Sequence, residues 1–482
     1  MSAETPISIE TEPISPAPAR YTLRQEYFGG LVYDSKRAKV ELLNPEEYQL
    51  LAGIATGSVA PDVVGGTEHF LNSGWITSED GLLVAQSMRS VKPPDKLPER
   101  SLIAPIRVFD SNTLQCNFAC PHCFFSCNIF IEEERRTPEQ TAQVLQKFYD
   151  AGTMEWRFTG GEALVHPDVL DSIAVAKDLG MNVGLYSNGW WSPKIARGVL
   201  DSRIDELTIS IEGQEEINDK RREPGSFKHL MNTFDLISSH NKDNPDEAID
   251  VMLATAVGAN NVQDVPFLAR LAAKYGFNIN FMPLKPSGRA RDFLTGEMMS
   301  VPEYMQFAYA VEKLRHIPEV EEAGIKIIFK YKDLFCPEYP NKSDLPFPFD
   351  YSECGAITTA ISLMPDGTTF TCPFILDFDQ EGHFMGPNIT DPDVSVADAW
   401  FHPNLASFRH VERPMCEGCG LYKTQCRGAC KATVLGGGGR IENGVLIGED
   451  RYCFKALMDE FNPDTDFTLI PLEELRRDSS FE

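Results

Sequence analysis

No apolar run in this 482-residue chain is long enough to cross a bilayer, and its first twenty residues show no basic stretch followed by an apolar one. Neither a membrane-spanning nor an exported protein is the expectation, and a cytoplasmic one is. Positive charge is scarce: 44 lysines and arginines against 71 acidic residues leave a net charge of −27. A surface of that sign repels nucleic acid and anionic lipid, so neither is an expected partner. No segment repeats at a solenoid period. Without an export signal, the twelve cysteines point away from disulfides, because the cytosol keeps thiols reduced, and towards metal.

What is present divides the chain. Its length exceeds one compact core and implies two or three domains. Residues 1–20, rich in Pro, Ser and Glu, read as a disordered tail. Residues 21–90 read as a small unit of short strands, such as YTLRQEYFGGLVYD, with a helix opening at Asn44. Asn44 suits the N-cap, Pro45 the first helical position, and carboxylates the first turn. The Pro-rich, charged stretch within 91–104 reads as a linker.

From 105 to 300, apolar strand-like runs (PIRVFD, EWRFTG, NVGLYSN, ELTISIEG, DVMLATAV, NINFMPL) alternate with helix-length segments. That alternation predicts right-handed crossovers and a parallel sheet. The fold class is therefore α/β, with six units forming a partial (β/α)6 TIM-type barrel whose chemistry gathers at the carboxyl ends of the strands. A connecting helix is expected over 301–325. A cysteine-rich region with a hairpin around Pro365-Asp366-Gly367 is expected over 326–482.

Cys116, Cys120 and Cys123 (CNFACPHC) follow the first barrel strand with CxxxCxxC spacing. A tight loop can bring three thiolates onto one cluster and leave one iron open, as a catalytic centre requires. On the cysteines alone, a structural zinc site stays open as an alternative.

This spacing after the first strand of a partial barrel resembles the radical S-adenosylmethionine (SAM) superfamily. Gly160-Gly161-Glu162 at the end of the second strand supports the resemblance. It implies that this segment holds the amino group of SAM, with glycines letting backbone approach a ligand closely. Ser187-Asn188 after the third strand, and Ser210 after the fourth with Arg222 beyond, occupy places that bind the ribose and carboxylate in the family. His122 stands where the family usually sets an aromatic side chain against the adenine. The resemblance implies a 4Fe–4S cluster reduced by one electron, from a donor such as a flavodoxin or ferredoxin, cleaving SAM to a 5′-deoxyadenosyl radical that abstracts hydrogen. No catalytic proton donor is named.

Cys354, Cys372, Cys416, Cys419, Cys426, Cys430 and Cys453 resemble the SPASM domain, which implies two auxiliary 4Fe–4S clusters. Carried over, Cys416, Cys419, Cys426 and Cys453 form one set. Cys354, Cys372 and Cys430 form the other, with Cys336 to complete it. Six residues separate Cys419 from Cys426 where the pattern usually has five. Cys127 falls in no pattern and reads as a bystander. Residues 21–90 resemble the winged-helix domain, related to one acting in pyrroloquinoline quinone synthesis, that binds leader segments of ribosomal precursor peptides by strand addition. The implied activity is peptide maturation by cross-linking, thioether formation, epimerisation or backbone excision. The alternative is a small-molecule oxidoreductase acting on a tetrapyrrole or sugar cofactor precursor.

Overall fold

The computed structural model describes residues 18–58, 66–79, 82–98, 101–293, 295–329, 354–379, 382–409, 411–420, 422, 426, 428–453 and 455. Cys336 and residues 1–17 and 456–482 lie outside the described residues.

The N-terminal unit runs β1 (Tyr21–Glu26), β2 (Gly29–Asp34), β3 (Lys39–Leu43), α1 (Pro45–Ala55), α2 (Glu68–Asn72), the hairpin β4 (Ile76–Glu79) and β5 (Leu82–Ala85), and β6 (Met88–Val91). Its sheet has the order β3-β2-β1-β6, antiparallel except where β6 runs alongside β1. Asn44 caps α1 as expected: its side chain accepts from Glu47 N while the Glu47 carboxylate accepts from Asn44 N. Leu23, Val32, Leu51, Phe70 and Trp75 form its own core. The tail expected over 1–20 stops sooner, because Arg20 holds Asp34 through paired bonds of 3.0 and 2.8 Å.

The barrel follows as β7 (Arg107–Thr113), α3 (Pro138–Asp150), β8 (Glu155–Gly160), α4 (Val169–Asp178), β9 (Asn182–Ser187), α5 (Pro193–Leu200), β10 (Glu206–Ser210), α6 (Glu215–Arg221), α7 (Ser226–Asp243), β11 (Asp250–Val257), α8 (Val265–Tyr275) and β12 (Asn278–Pro283). All six strands are parallel neighbours in chain order, as the alternation predicts. Trp156, Phe158, Val183, Leu185, Leu207, Ile209, Leu253, Ile279 and Phe281 are buried, as expected of a sheet covered on its faces.

The sheet does not stop at six strands. After α9 (Arg289–Phe293), α10 (Val301–Leu314) and α11 (Pro318–Ala323), the short β13 (Ile327–Ile328) joins β12 in parallel. On the other edge β14 (Ala360–Leu363) pairs in parallel with β7 and continues into β15 (Thr368–Phe370) and β16 (Met385–Asn388). The expected hairpin at Pro365–Gly367 therefore forms, but within the barrel sheet rather than apart from it. The expected connecting helix is likewise part of the barrel, since Tyr304, Met305 and Phe307 of α10 are fully buried. The rest is α12 (Val396–Trp400), α13 (Pro403–Arg409), α14 (Lys431–Gly436), and the hairpin β17 (Arg440–Glu442) and β18 (Val445–Ile447).

The 91–104 linker also needs correction. Its last residues, Leu102, Ile103 and Ala104, are buried, and Leu102 O accepts from the Trp400 indole at 2.8 Å. The N-terminal unit is bolted on at the same place. Arg24, fully buried, donates to Glu26 (2.7 Å) and to Gly152 O (2.8 Å), and Glu26 accepts from Ile103 N at 3.0 Å. Asn182 donates to Ser35 O at 2.9 Å. Gly152, Ile103 and Asn182 lie just before β8 and β7 and at the start of β9. The small domain thus grips the amino ends of the barrel strands, opposite the motifs.

Candidate iron–sulfur and cofactor site

At the carboxyl end of β7 the chain turns into the cysteine loop, fixed by Cys116 N to Asn128 O (3.2 Å) and Cys123 N to Cys120 O (3.2 Å). The loop lies on Gly160 and Gly161. Gly161 N donates to Thr113 O (2.8 Å) and Glu162 N to Gln115 O (2.9 Å). A Cβ on Gly161 would collide with the Gln115 carbonyl, and Gly160 has a φ of +128°. The close approach these glycines permit is thus to the cysteine loop itself, which corrects the expectation that they open the backbone to a ligand.

Cys116, Cys120 and Cys123 share one apolar nest with Phe118, and Cys127 belongs to it. Among the described residues, no three His, Cys, Asp or Glu side chains converge closely enough to share one ion. Burial pushes the Cys116 thiol up to about 12 and raises Cys120, opposed there by Arg222. Cys123 differs: the Cys127 thiol bonds to its sulfur and Cys127 N donates to it at 3.3 Å, bringing it below the ordinary thiol value despite burial. Cys127 is therefore not a bystander but a hydrogen-bonding neighbour of a candidate ligand.

Glu162 is buried and organises the next two strand ends. Its carboxylate accepts from Asn188 N at 2.6 Å and from the Ser187 hydroxyl, while burial raises its pKa. Ser187 Oγ in turn accepts from the Trp191 indole at 2.8 Å. Asn188 Nδ2 donates to Asn117 Oδ1 at 2.7 Å, tying this network to the residue after Cys116. Glu162, Ser187 and Asn188 thus come together, with Ser187 already engaged by protein partners.

At the end of β10 the centre is Glu212 rather than Ser210. His122 Nε2 lies 3.1 Å from its Oε1, Arg222 Nε 3.8 Å from the same oxygen, and Arg221 Nη1 3.7 Å from Oε2. Burial would raise the Glu212 carboxyl, but the charges of His122, Arg222 and Arg221 bring it down to about 2. Ser210 contributes its carbonyl, 3.4 Å from Arg222 Nη1. Burial disfavours the Arg222 charge, but Cys120, Glu212, Cys116 and Glu162 around it raise its pKa overall. Arg222 Nε and His122 Nδ1 are buried polar atoms with no hydrogen-bond partner. Buried polar groups are normally satisfied, so this end of the barrel suits a ligand that brings an acceptor group such as a carboxylate to Arg222. The donor set fits a cluster with one open iron and SAM next to it.

On the auxiliary side, burial pushes Cys372 up to about 12, with Cys354 and Cys430 near enough to reinforce the shift and Lys285 to oppose it. Cys372 and Cys430 lie in one apolar cluster with Ile375 and Phe408. In the other set, Cys419 N donates to Cys416 O (3.3 Å) and Gly428 N to the Cys426 sulfur (3.3 Å). Asp450 links the groups: it accepts from Cys430 N through Oδ2 (3.2 Å) and from Cys453 N through its carbonyl (2.8 Å). Every described cysteine is an unbridged thiol. Sequence reasoning passed over Glu212, Asn117, Cys127, Asp450 and Arg289. Asn117 and Glu212 stood in quoted motifs, CNFACPHC and ELTISIEG, but nothing there marks the asparagine beside the cysteines or the carboxylate over the serine.

The radical SAM superfamily model matches residues 113–266. Mycofactocin maturase MftC of Mycolicibacterium smegmatis is 26% identical over 355 residues, covering 72% of this chain and 83% of that protein. Streptococcus suis SuiB bound to S-adenosylmethionine superposes with a TM-score of 0.64 at 15% identity, over 87% of this chain and 96% of SuiB. SuiB bound to its precursor peptide SuiA gives 0.62 at the same identity and coverage. At that identity the likeness to SuiB establishes the fold. Residues 113–266 are a radical SAM domain. The chain is an enzyme of that kind, using SAM and a 4Fe–4S cluster.

Proposed function

We propose that the enzyme modifies an encoded precursor peptide; in support, MftC is named a mycofactocin maturase and SuiB has been solved bound to a precursor peptide, SuiA. When bound, the cluster and SAM supply a 5′-deoxyadenosyl radical able to take hydrogen from an unactivated position. Cys116, Cys120 and Cys123 would hold the cluster, beside which SAM would bind. Arg222, with its unused Nε, takes the carboxylate. Glu162, held by Ser187 and Asn188, faces the amino-group side, and His122 closes the adenine side from its anchor on Glu212. The buried Arg222, ion-paired to Glu212 but with no hydrogen bond from its Nε and with Cys116 and Cys120 near its charge, carries this reading.

Cys416, Cys419, Cys426 and Cys453 hold one auxiliary cluster, and Cys354, Cys372 and Cys430, with Cys336, the other. The electron donor is a flavodoxin or ferredoxin, and the enzyme works in the cytoplasm. The leader segment of the substrate adds to the edge strand β3, which among the described residues pairs only with β2. The test is binding of a fluorescent copy of a short peptide encoded beside this chain's gene. Affinity should fall at least tenfold when residues 1–90 are removed; unchanged affinity would argue for another substrate.

A further inference from the structure

The segment between β12 and α9 touches both candidate cluster sites. Arg289 N donates to Cys123 O (3.0 Å), its Nε to Cys120 O (2.8 Å) and its Nη2 to Cys127 O (2.8 Å). One residue earlier, Gly288 has a φ of +56° and lies so close to the Cys123 and Phe124 carbonyls that any Cβ would collide with them. Gly288 N donates to the Asp377 carboxylate, five residues beyond Cys372. Lys285 stands 4.1 Å above the Phe374 ring, and that ring packs on Phe124 with centroids 4.6 Å apart. Phe124 follows Cys123 and Phe374 is two residues past Cys372, so each ring is rooted beside a candidate ligand.

We propose that Lys285–Arg289 is a positioning element that couples the two cluster sites, with Arg289 as its positioning residue, so that filling the Cys354–Cys372–Cys430 site sets the redox potential of the cluster on Cys116, Cys120 and Cys123. The physical route is short. Hydrogen bonds to cluster sulfurs are among the determinants of potential. Cys127 N donates to the Cys123 sulfur and Phe118 N to the Cys116 sulfur, within the loop whose carbonyls Arg289 holds. A shift of the short 3-10 turn Pro373–Phe378, which carries Asp377, moves Gly288, Arg289 and then those donors. The proposal rests on reading both cysteine sets as cluster ligands.

The test uses the full chain, reconstituted anaerobically, with iron content measured and the reduced clusters titrated by electron paramagnetic resonance. The signal that changes on adding SAM belongs to the cluster with the open iron. Asp377→Asn, Phe374→Leu and Arg289→Lys should keep wild-type iron content and circular dichroism while shifting the potential and line shape of that signal. Cys372→Ala should shift it the same way, and Asp377→Asn added to Cys372→Ala should shift it no further. An unchanged potential in all three variants at full iron content, or additive shifts in the double variant, would overturn the coupling alone. A wild-type chain with no SAM-sensitive signal would overturn the underlying ligand reading, and the coupling with it.

Discussion

Glu212 shows how much of a site can rest on one side chain. It is buried, and its carboxylate is held ionised by His122 and two arginines from the α6 terminus. Because its folded pKa of about 2 lies below the ordinary 4.5, the ionised form is favoured by folding. That stabilisation is present above about pH 4.5 and drains away as pH falls towards 2, a loss of about 3 kcal/mol over the window. Urea unfolding of the cluster-free chain should therefore lose about 3 kcal/mol more between pH 6 and pH 2.5 in wild type than in Glu212→Gln. Equal pH slopes would contradict the role given to this carboxylate. The sequence placed His122 and Arg222 in the site but not their common partner. Their contact joins residues 90 and 10 positions from Glu212 in the chain, which the fold of the partial barrel brings together.

At the scale of elements, the six parallel strands were legible because each is a buried apolar run followed by a helix-length segment, and β8 and β11 coincide with the runs EWRFTG and DVMLATAV. β13 falls within the strand-like run IKIIFKY, whereas β14, of four residues, has no period to read, and only pairing with β12 and β7 places both in the barrel sheet. The glycine pair after β8 was found for a different reason from the one the structure gives. Gly161 lets Gln115 close over it, so Gly161→Ala should push the cysteine loop outward. The expected result is a lower melting temperature, from an overpacking cost of about 1–3 kcal/mol, with reduced iron retention after desalting. Wild-type iron content and melting temperature in this variant would show that the loop does not depend on that contact.

Across the whole molecule, the division of labour runs along the barrel axis. The small N-terminal domain is clamped by Arg24 and Glu26 to the amino ends of the strands, while the thiols, Glu162 and Arg222 gather at the carboxyl ends. A substrate captured by the small domain must reach around the barrel to the thiols. No charge pattern or motif announced that separation, because it depends on which strand ends the buried Arg24 finds. The parts of the chain nearest the chemistry were the most readable, since three thiols and a glycine pair at successive strand ends leave few other readings. The central claim is that these parts cleave SAM. The most direct test is to incubate the anaerobically reconstituted, dithionite-reduced chain with SAM and measure 5′-deoxyadenosine. The account predicts its formation in wild type and its loss in Cys120→Ala; a cluster-replete wild-type chain that makes none would contradict it.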